Sequence, residues 1–219
     1  MDCIRKSSKR QIRDPKVEKP IVAAFDFDGT LTYHDTLFYF LLYTHGVVKA
    51  FYYFFFLLPV FIAYLIGKID RQRTKEKVLR CFFSGRPINI VRKKGEAFAK
   101  EKLQHHLRPE AMQRFQWHLK QGHRCILISA SLDVYLQPWS KMVGFQESLT
   151  SRLADENGIV TGKLIANNCR GPEKVRRLQE LIGPREGYYL YAYGDSDGDQ
   201  ELLALAEASF YRKFEESSG

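Results

Sequence analysis

The sequence lacks the cysteine pattern of a zinc ribbon or of a disulfide-stabilised domain. Its four cysteines lie far apart and include no Cys-x-x-Cys pair, which fits a protein of the reducing cytosol. No apolar segment with a small-residue cleavage site follows the first residues, so no secretory signal is predicted. We find no internal repeat, and the 15 glycines and 8 prolines show no regular spacing, which excludes collagen-like and low-complexity chains.

Acidic residues are fewer than basic ones, and the formal net charge is +9. Residues 1–20 hold seven Lys or Arg and three Asp or Glu with little apolar periodicity, which predicts a flexible basic N-terminal arm. A basic chain can bind nucleic acid, an anionic membrane or a phosphorylated small molecule. Because no zinc-finger spacing or RNA-binding signature is present, we expect no nucleic-acid partner.

Three short apolar runs, each ending in small and polar residues, organise the rest of the chain. They occupy residues 21–25, 125–128 and 188–193, with helical patterns between them. Uninterrupted apolar runs of this length are typical of strands buried on both faces of a parallel sheet. The alternation predicts an α/β fold with a parallel sheet flanked by helices. Ligands of such sheets bind at the carboxyl ends of the strands, so the polar clusters should share one rim.

Carboxylates dominate that rim. Asp26 and Asp28 follow the first run, with Gly29 placed for a sharp turn. Asp195 and Asp199 follow the third run. So many acids meet only where protons or a cation offset their repulsion. Ligands that are all oxygen atoms suit Mg²⁺.

Ser129 and Lys174 add a hydroxyl donor and a cation, and the complete set suits a phosphoryl group. In this order the residues resemble the haloacid dehalogenase superfamily, within its phosphoserine-phosphatase-like branch, subfamily IB. The resemblance is carried by Asp-Phe-Asp-Gly-Thr-Leu-Thr at 26–32, Ser129, Lys174 and Gly-Asp-Ser-Asp-Gly-Asp at 194–199. It implies a Rossmann-like core with a helical C1-type cap inserted after the first strand.

The resemblance also implies a role for each matched residue. Asp26 would be the nucleophile that forms an aspartyl-phosphate, and Asp28 the acid that protonates the leaving oxygen and then activates water. Mg²⁺ would be held by the Asp26 carboxylate, the Asp28 carbonyl and the Asp195 carboxylate. Ser129 and Lys174 would hold the phosphate oxygens. These roles imply a phosphomonoester hydrolase.

Four further residues are expected to support this site. Asp199 would orient Lys174 or a metal-bound water, and Gly29, Thr30 and Ala130 would shape the surrounding loops.

The chain between the first two runs is too long for a single crossover. We expect a catalytic core of residues 21–36 and 108–213, a helical cap of residues 37–107, and a short tail of residues 214–219. Residues 151–164 are predicted to form a β-hairpin whose turn is Asn157-Gly158.

The first part of the cap is unusually apolar. Residues 37–66 hold twelve of the thirty aromatic residues and one charge, Lys49, and residues 50–67 pass the ~18-residue length of a membrane-spanning candidate. The strands on either side must share one sheet, so an odd number of crossings is excluded, and two crossings need ~40 residues. We expect a helical hairpin, broken near Gly46 or Pro59, that is either buried in the cap or inserted into one leaflet.

Basic residues follow this apolar segment directly: Lys68, Arg71, Arg73, Lys75, Lys77 and Arg80. An apolar insert with a basic border suits an anionic membrane surface, which predicts a cytoplasmic protein at the inner face of the cytoplasmic membrane. In this apolar insert, in Gly-Lys-Ile-Asp-Arg-Gln-Arg at 67–73 leading to Cys-Phe-Phe-Ser-Gly at 81–85, and in Gly-Pro-Glu-Lys-Val at 171–175, the chain also resembles the phosphatidylglycerophosphatase C members of the branch. This resemblance implies a lipid phosphate as substrate. Asp35 and Arg80 are candidate headgroup contacts.

Two alternatives stay open. The first is the same chemistry on a soluble metabolite, although Ser-Ala-Ser at residues 129–131 departs from the Ser-Gly-Gly of phosphoserine phosphatases. The second is a non-catalytic, membrane-bound interaction module, against which the intact pair of Asp26 and Asp28 argues.

Overall fold

The protein is described here by a computed structural model that covers residues 19–214. The predicted basic arm, apart from its last two residues, and the predicted tail, apart from Phe214, lie outside the described residues.

A five-stranded parallel sheet forms the centre of the fold, in the order β3-β2-β1-β6-β7. Its strands are β1 (Ile21–Phe25), β2 (Arg124–Leu132), β3 (Glu147–Ser151), β6 (Tyr189–Gly194) and β7 (Ala208–Tyr211). The three predicted runs form the three central strands, which confirms the predicted α/β class. The edge strands β3 and β7 were not predicted, because their short, half-exposed sequences carry no continuous apolar run.

Each face of the sheet packs on its own apolar core. Along β1, Ala23 and Phe25 belong to one core, whereas Val22 and Ala24 belong to the other. Alternate residues of β1 therefore point to opposite faces, and both faces are buried. Because both faces of these strands are buried, their sequences are uninterrupted apolar runs.

Four helices accompany the sheet outside the insert that follows β1: α5 (Pro109–Lys120), α6 (Asp133–Val143), α7 (Pro172–Ile182) and α8 (Gln200–Leu205). The helical patterns predicted before β2 and β6 correspond to α5 and α7.

The insert after β1 contains α1 (Thr36–His45), α2 (Val47–Leu65), α3 (Arg71–Phe83) and α4 (Ile88–Glu101). The hairpin break is at Gly46, whose φ of 76° suits glycine, whereas Pro59 lies inside α2 without ending it. A Cβ on Gly95 of α4 would lie 2.0 Å from the Val134 carbonyl oxygen of α6. The insert is thus closely packed on the core. The predicted domain boundaries at residues 36 and 108 stay a prediction.

The predicted β-hairpin is confirmed as β4 (Leu153–Glu156) and β5 (Ile159–Leu164), an antiparallel pair. Asn157 and Gly158 form its turn with φ values of 51° and 80°. The hairpin supports the cap, because a Cβ on Gly162 would lie 2.3 Å from the Cα of Arg80 in α3.

Helix α2 has an exposed apolar surface. By length and composition it could cross a membrane, with 19 residues and a mean hydropathy of 1.8, yet only 11% of its apolar window is buried. Large exposed side chains on it include Val48, Phe51, Tyr52, Phe55, Phe56, Leu58, Ile62 and Leu65. Since β1 and β2 are neighbours in one sheet, a single crossing is excluded. The ten-residue α1 is too short for a return crossing.

Candidate active site

The carboxyl ends of the central strands bring the polar clusters together. Asp26 directly follows β1, Ser129 lies in the second half of β2, and Asp195 directly follows β6. Lys174 lies in the first turn of α7. All four line one cavity of about 600 Å³, a volume typical of small-molecule sites.

Lys174 lies at the centre of the buried part of the site. Its Nζ donates to Asp26 Oδ1 at 2.5 Å and to Asp199 Oδ1 at 2.5 Å. All three side chains are almost fully buried. Asp199 is itself held through Oδ2, which accepts from the Ser196 N–H at 3.1 Å and the Ser196 hydroxyl at 2.9 Å. Asp199 therefore orients Lys174, and Lys174 orients Asp26.

Thr30 and Gly29, in the loop after β1, lie next to Asp195, which follows β6. The Thr30 hydroxyl lies 3.4 Å from Asp26 Oδ2 and 3.3 Å from Asp195 Oδ1. A Cβ on Gly29, whose φ is 82°, would lie 2.2 Å from Asp195 Oδ2. The glycine is thus required both for the turn and for the close approach of the Asp195 carboxylate.

Asp28 is clamped by donors that the sequence analysis did not identify. Its Oδ1 accepts from the Thr36 N–H at 2.7 Å and from the Thr36 hydroxyl at 2.6 Å. Its Oδ2 accepts from the Ser131 hydroxyl. Because Thr36 begins α1, the first helix of the insert holds Asp28 from one side, and Ser131 of β2 holds it from the other. The sequence signal for the contact with Asp28 was a threonine at the start of the insert.

Burial determines the electrostatics of the acids. It raises the pKa of Asp26 to about 7 against the opposing charge of Lys174. Burial and the neighbouring Asp35 raise the pKa of Asp28 to about 6, opposed by the hydrogen bonds from Ser131 and Thr36. Burial alone would lower the pKa of Lys174, but the Asp26 and Asp199 carboxylates more than offset it and raise that pKa. A second cation beside Asp26 would favour its ionised form.

The segment 129–131 forms the wall of the cavity on the β2 side. Ser129 is buried, and its hydroxyl oxygen accepts from the Ser131 N–H at 3.1 Å. The Ala130 carbonyl accepts from Lys75 of the cap helix α3. This segment therefore contacts both Asp28, through the Ser131 hydroxyl, and the cap, through Lys75.

The model of the family described as haloacid dehalogenase-like hydrolases matches residues 23–204, the range that contains every cluster above. The chain belongs to this family. Protein CicA of Caulobacter vibrioides is similar to it, with 34% identity over 215 residues, 95% of this chain and 93% of CicA.

Two solved structures share the fold of this family member. A protein of unknown function from Bordetella pertussis Tohama I superposes with a TM-score of 0.71 at 21% identity, covering 85% of this chain and 86% of that one. A phospho-aspartyl intermediate analogue of phosphoserine phosphatase gives 0.57 at 18% identity, covering 89% and 87%.

The acids of this haloacid dehalogenase-like hydrolase fit a divalent cation. One carboxylate oxygen each of Asp26, Asp195 and Asp199 lie within 4.8 Å of one another. Asp199 already accepts from Lys174 and Ser196. The buried Asp26 and the partly buried Asp195 are the carboxylates that would hold Mg²⁺, with the Asp28 carbonyl as the further ligand that the family resemblance implies.

The cap supplies residues to the cavity of this hydrolase. Leu37 of α1 and Phe61 and Tyr64 of α2 form an apolar wall. Asp35, the N-cap of α1, also lines the cavity, and its Oδ1 accepts from the Leu37 N–H. Arg80 does not: it is exposed, and its backbone packs against the β4–β5 hairpin. The expectation that Arg80 contacts a headgroup stays a prediction.

Sequence analysis also missed three polar residues of the cavity wall. These are Lys75 of α3, Asn168 and Arg170. Lys75 was seen only as part of a basic border, and the two others lie in a loop without a motif. The sequence signal for Lys75 was its position, one turn after Arg71 on the helix that follows the apolar segment.

Proposed function

We propose that this protein is a Mg²⁺-dependent phosphatase that hydrolyses a phosphomonoester through an aspartyl-phosphate on Asp26. The observation that carries the proposal is the buried contact of Lys174 with Asp26 and Asp199 beside the clamped carboxyl group of Asp28. One carboxylate is held as a nucleophile, and a second, with a pKa raised to about 6, can exchange a proton near neutral pH.

The two half-reactions use the two acids in turn. An oxygen of Asp26 bonds to phosphorus while the bond from phosphorus to the leaving oxygen breaks, and Asp28 gives its proton to that oxygen. Asp28 then takes a proton from water, whose oxygen bonds to phosphorus and releases phosphate and the Asp26 carboxylate. Lys174 and the Ser129 hydroxyl hold the phosphoryl oxygens throughout. Mg²⁺, when bound by Asp26 and Asp195, supplies positive charge that offsets the charge of the phosphoryl group.

The substrate of this proposal is a membrane lipid phosphate, such as phosphatidylglycerophosphate. Phe61 and Tyr64 line the cavity, and they belong to the same helix α2 that exposes Phe51, Phe55 and Leu65 to solvent. An apolar surface thus extends from the cavity wall to the outside of the protein. A substrate with acyl chains can leave them on that surface while its phosphate reaches Asp26.

The partner of the exposed α2 surface in this proposal is an anionic bilayer. The helix carries Lys49 near its start, and Lys68 and Arg71 follow its end. Apolar side chains with basic residues at both ends match the chemistry of an anionic lipid surface. The protein would accordingly be cytoplasmic and bind peripherally to the inner face of the cytoplasmic membrane.

A panel of phosphomonoesters tests the proposed function. Purified protein should release phosphate from lipid phosphates presented in anionic vesicles, lose this activity with EDTA and recover it with Mg²⁺. Asp26→Asn should abolish turnover. If the protein prefers O-phosphoserine, the proposed chemistry stands but its substrate is the one in the name of the structurally similar phosphoserine phosphatase. No turnover of any phosphomonoester would contradict the proposal and favour a non-catalytic module.

A further inference from the structure

Three cations line the active-site cavity in addition to Lys174. They are Arg71 and Lys75 of α3 and Arg170 of the loop before α7. Within residues 19–214, none of the three forms a salt bridge with a carboxylate: Lys75 donates to the Ala130 carbonyl and to Asn168 Oδ1, and Arg170 makes a long contact of 3.5 Å with the Ser196 hydroxyl. No carboxylate of the described residues therefore neutralises these three charges through a salt bridge, although each side chain lines the cavity.

Lys75 enters the cavity from the cap helix α3. It contacts Ala130, the neighbour of Ser129, and the negative charges of Asp35 and Asp28 stabilise its ammonium group. The phosphoryl oxygens already have Lys174 and Ser129 on the core side. A cation that comes from the cap beside the proposed acid Asp28 therefore faces the substituent that carries the leaving oxygen.

Two of the cations lie on the helix that follows the apolar α2. Arg71 is exposed at the start of α3, and Lys75 lies one turn further along the same helix, half-buried. Both line the cavity that also contains Tyr64 of α2 and Asp26. An anionic group between the acyl chains and the phosphomonoester would meet the two α3 cations.

We infer that Lys75, with Arg71 and Arg170, binds a second anionic group of the substrate, namely a phosphodiester that joins the phosphomonoester-bearing headgroup to the acyl part. This inference rests on the proposed function and makes it narrower. In a phospholipid substrate the anionic group between the acyl chains and the phosphomonoester is a phosphodiester, whose non-bridging oxygens accept readily from lysine and arginine. Burial lowers the pKa of Lys75 to about 8, and a bound anion would keep its ammonium group charged.

The test compares two water-soluble short-chain lipids with identical hexanoyl chains. One is a diacylglycerol phosphate with the phosphomonoester alone, and the other has a glycerol phosphomonoester linked through a phosphodiester. Lys75→Met should raise the KM for the second substrate about tenfold more than the KM for the first, as expected for the loss of one charge-assisted hydrogen bond to the phosphodiester. Lys75→Arg should restore part of the loss. Lys77→Met, an exposed lysine on the same helix, is the matched control.

The outcomes separate this inference from the proposed function. Equal losses on both substrates would overturn the inference and show that Lys75 only holds the cap to the core. A selective loss on O-phosphoserine instead would overturn it in favour of a carboxylate. If the unchanged protein hydrolyses neither lipid, the proposed lipid substrate fails, whatever Lys75 does.

Discussion

At the scale of single residues, the proposed acid Asp28 depends on a residue that no motif would select. Thr36 donates two hydrogen bonds to Asp28 Oδ1, one from its backbone and one from its hydroxyl. It is fully buried, and its hydroxyl lies 3.3 Å from that of Tyr135. The position of the proposed acid is therefore set by the first turn of the cap.

Thr36→Val should lower kcat about tenfold with a smaller change in KM, because the variant keeps the volume and the backbone N–H but loses one donor to a charged group. Steady-state kinetics with a soluble phosphomonoester measure this. Thr36→Ser retains the hydroxyl and should stay within about twofold of the unchanged protein. If valine and serine behave alike, the hydroxyl does not position Asp28.

A second buried polar cluster lies under β6, away from the active-site cavity. His118 is fully buried, with one ring nitrogen 2.8 Å from the Tyr193 hydroxyl and the other 2.7 Å from a ring nitrogen of His123. Arg114 donates to the same Tyr193 hydroxyl at 2.6 Å. Burial, with Arg114 and His123 adding to it, lowers the pKa of His118 to about 2.

This histidine should make the protein less stable in mild acid. Since its pKa is about 2 when folded and about 6.5 when unfolded, the unfolded chain binds a proton that the folded protein excludes. The contribution is absent above pH 7 and grows as the pH falls below 6.5. Between pH 7.5 and 5.5 it lowers the free energy of unfolding by about 1.4 kcal/mol.

Denaturant titrations at the two pH values, compared with His118→Gln, measure this contribution together with any change that the substitution makes at the neighbouring His123. The variant should be less stable at pH 7.5 and should lose about 1.4 kcal/mol less than the unchanged protein on acidification. An identical loss in both proteins would show that His118 does not titrate on unfolding.

At the scale of secondary-structure elements, the sequence predicted the central strands, the hairpin and a break near Gly46 or Pro59, of which the structure has the break at Gly46. These features follow from local signals: buried apolar runs, an Asn-Gly turn and a glycine with positive φ. It did not predict β3 and β7, since edge strands have weak patterns, nor the packing of Gly95 against Val134. That contact joins helices far apart in the chain and leaves no local signal.

We expect helix α2 to bind a lipid surface through its exposed aromatic side chains. Phe51 and Phe55 are 58% and 73% exposed, so a lipid surface would bury much of both rings. Because burying such a side chain contributes roughly 1.5–3 kcal/mol, the double variant Phe51→Ser/Phe55→Ser should bind anionic vesicles at least tenfold more weakly. Sedimentation with phosphatidylglycerol-containing vesicles measures the partition.

The control is Met142→Ser, which changes an exposed apolar side chain on the core helix α6 and should bind vesicles as the unchanged protein does. Hydrolysis of a soluble phosphomonoester should be the same in all three proteins. Unchanged vesicle binding of the double variant would exclude the α2 surface as the membrane contact. A dimer that this variant dissociates would assign the surface to a second copy of the chain.

At the scale of the whole molecule, the sheet explains why motifs distant in sequence could be combined before the structure was known. Parallel strands present their carboxyl ends at one rim, so the order of Asp26, Ser129 and Asp195 in the sequence was enough to place them together. The contributions of the cap were beyond such reasoning. Thr36, Lys75 and the wall formed by Phe61 and Tyr64 depend on how an insert folds back over that rim.

The account as a whole depends on Asp26 accepting the phosphoryl group. The most direct measurement is rapid acid quenching during turnover with Mg²⁺, followed by peptide mass spectrometry to locate the phosphate. The account predicts one phosphoryl group on Asp26 that disappears in Asp26→Asn together with activity. Full turnover without any phosphorylated aspartate, or with the phosphoryl group on a different residue, would contradict it.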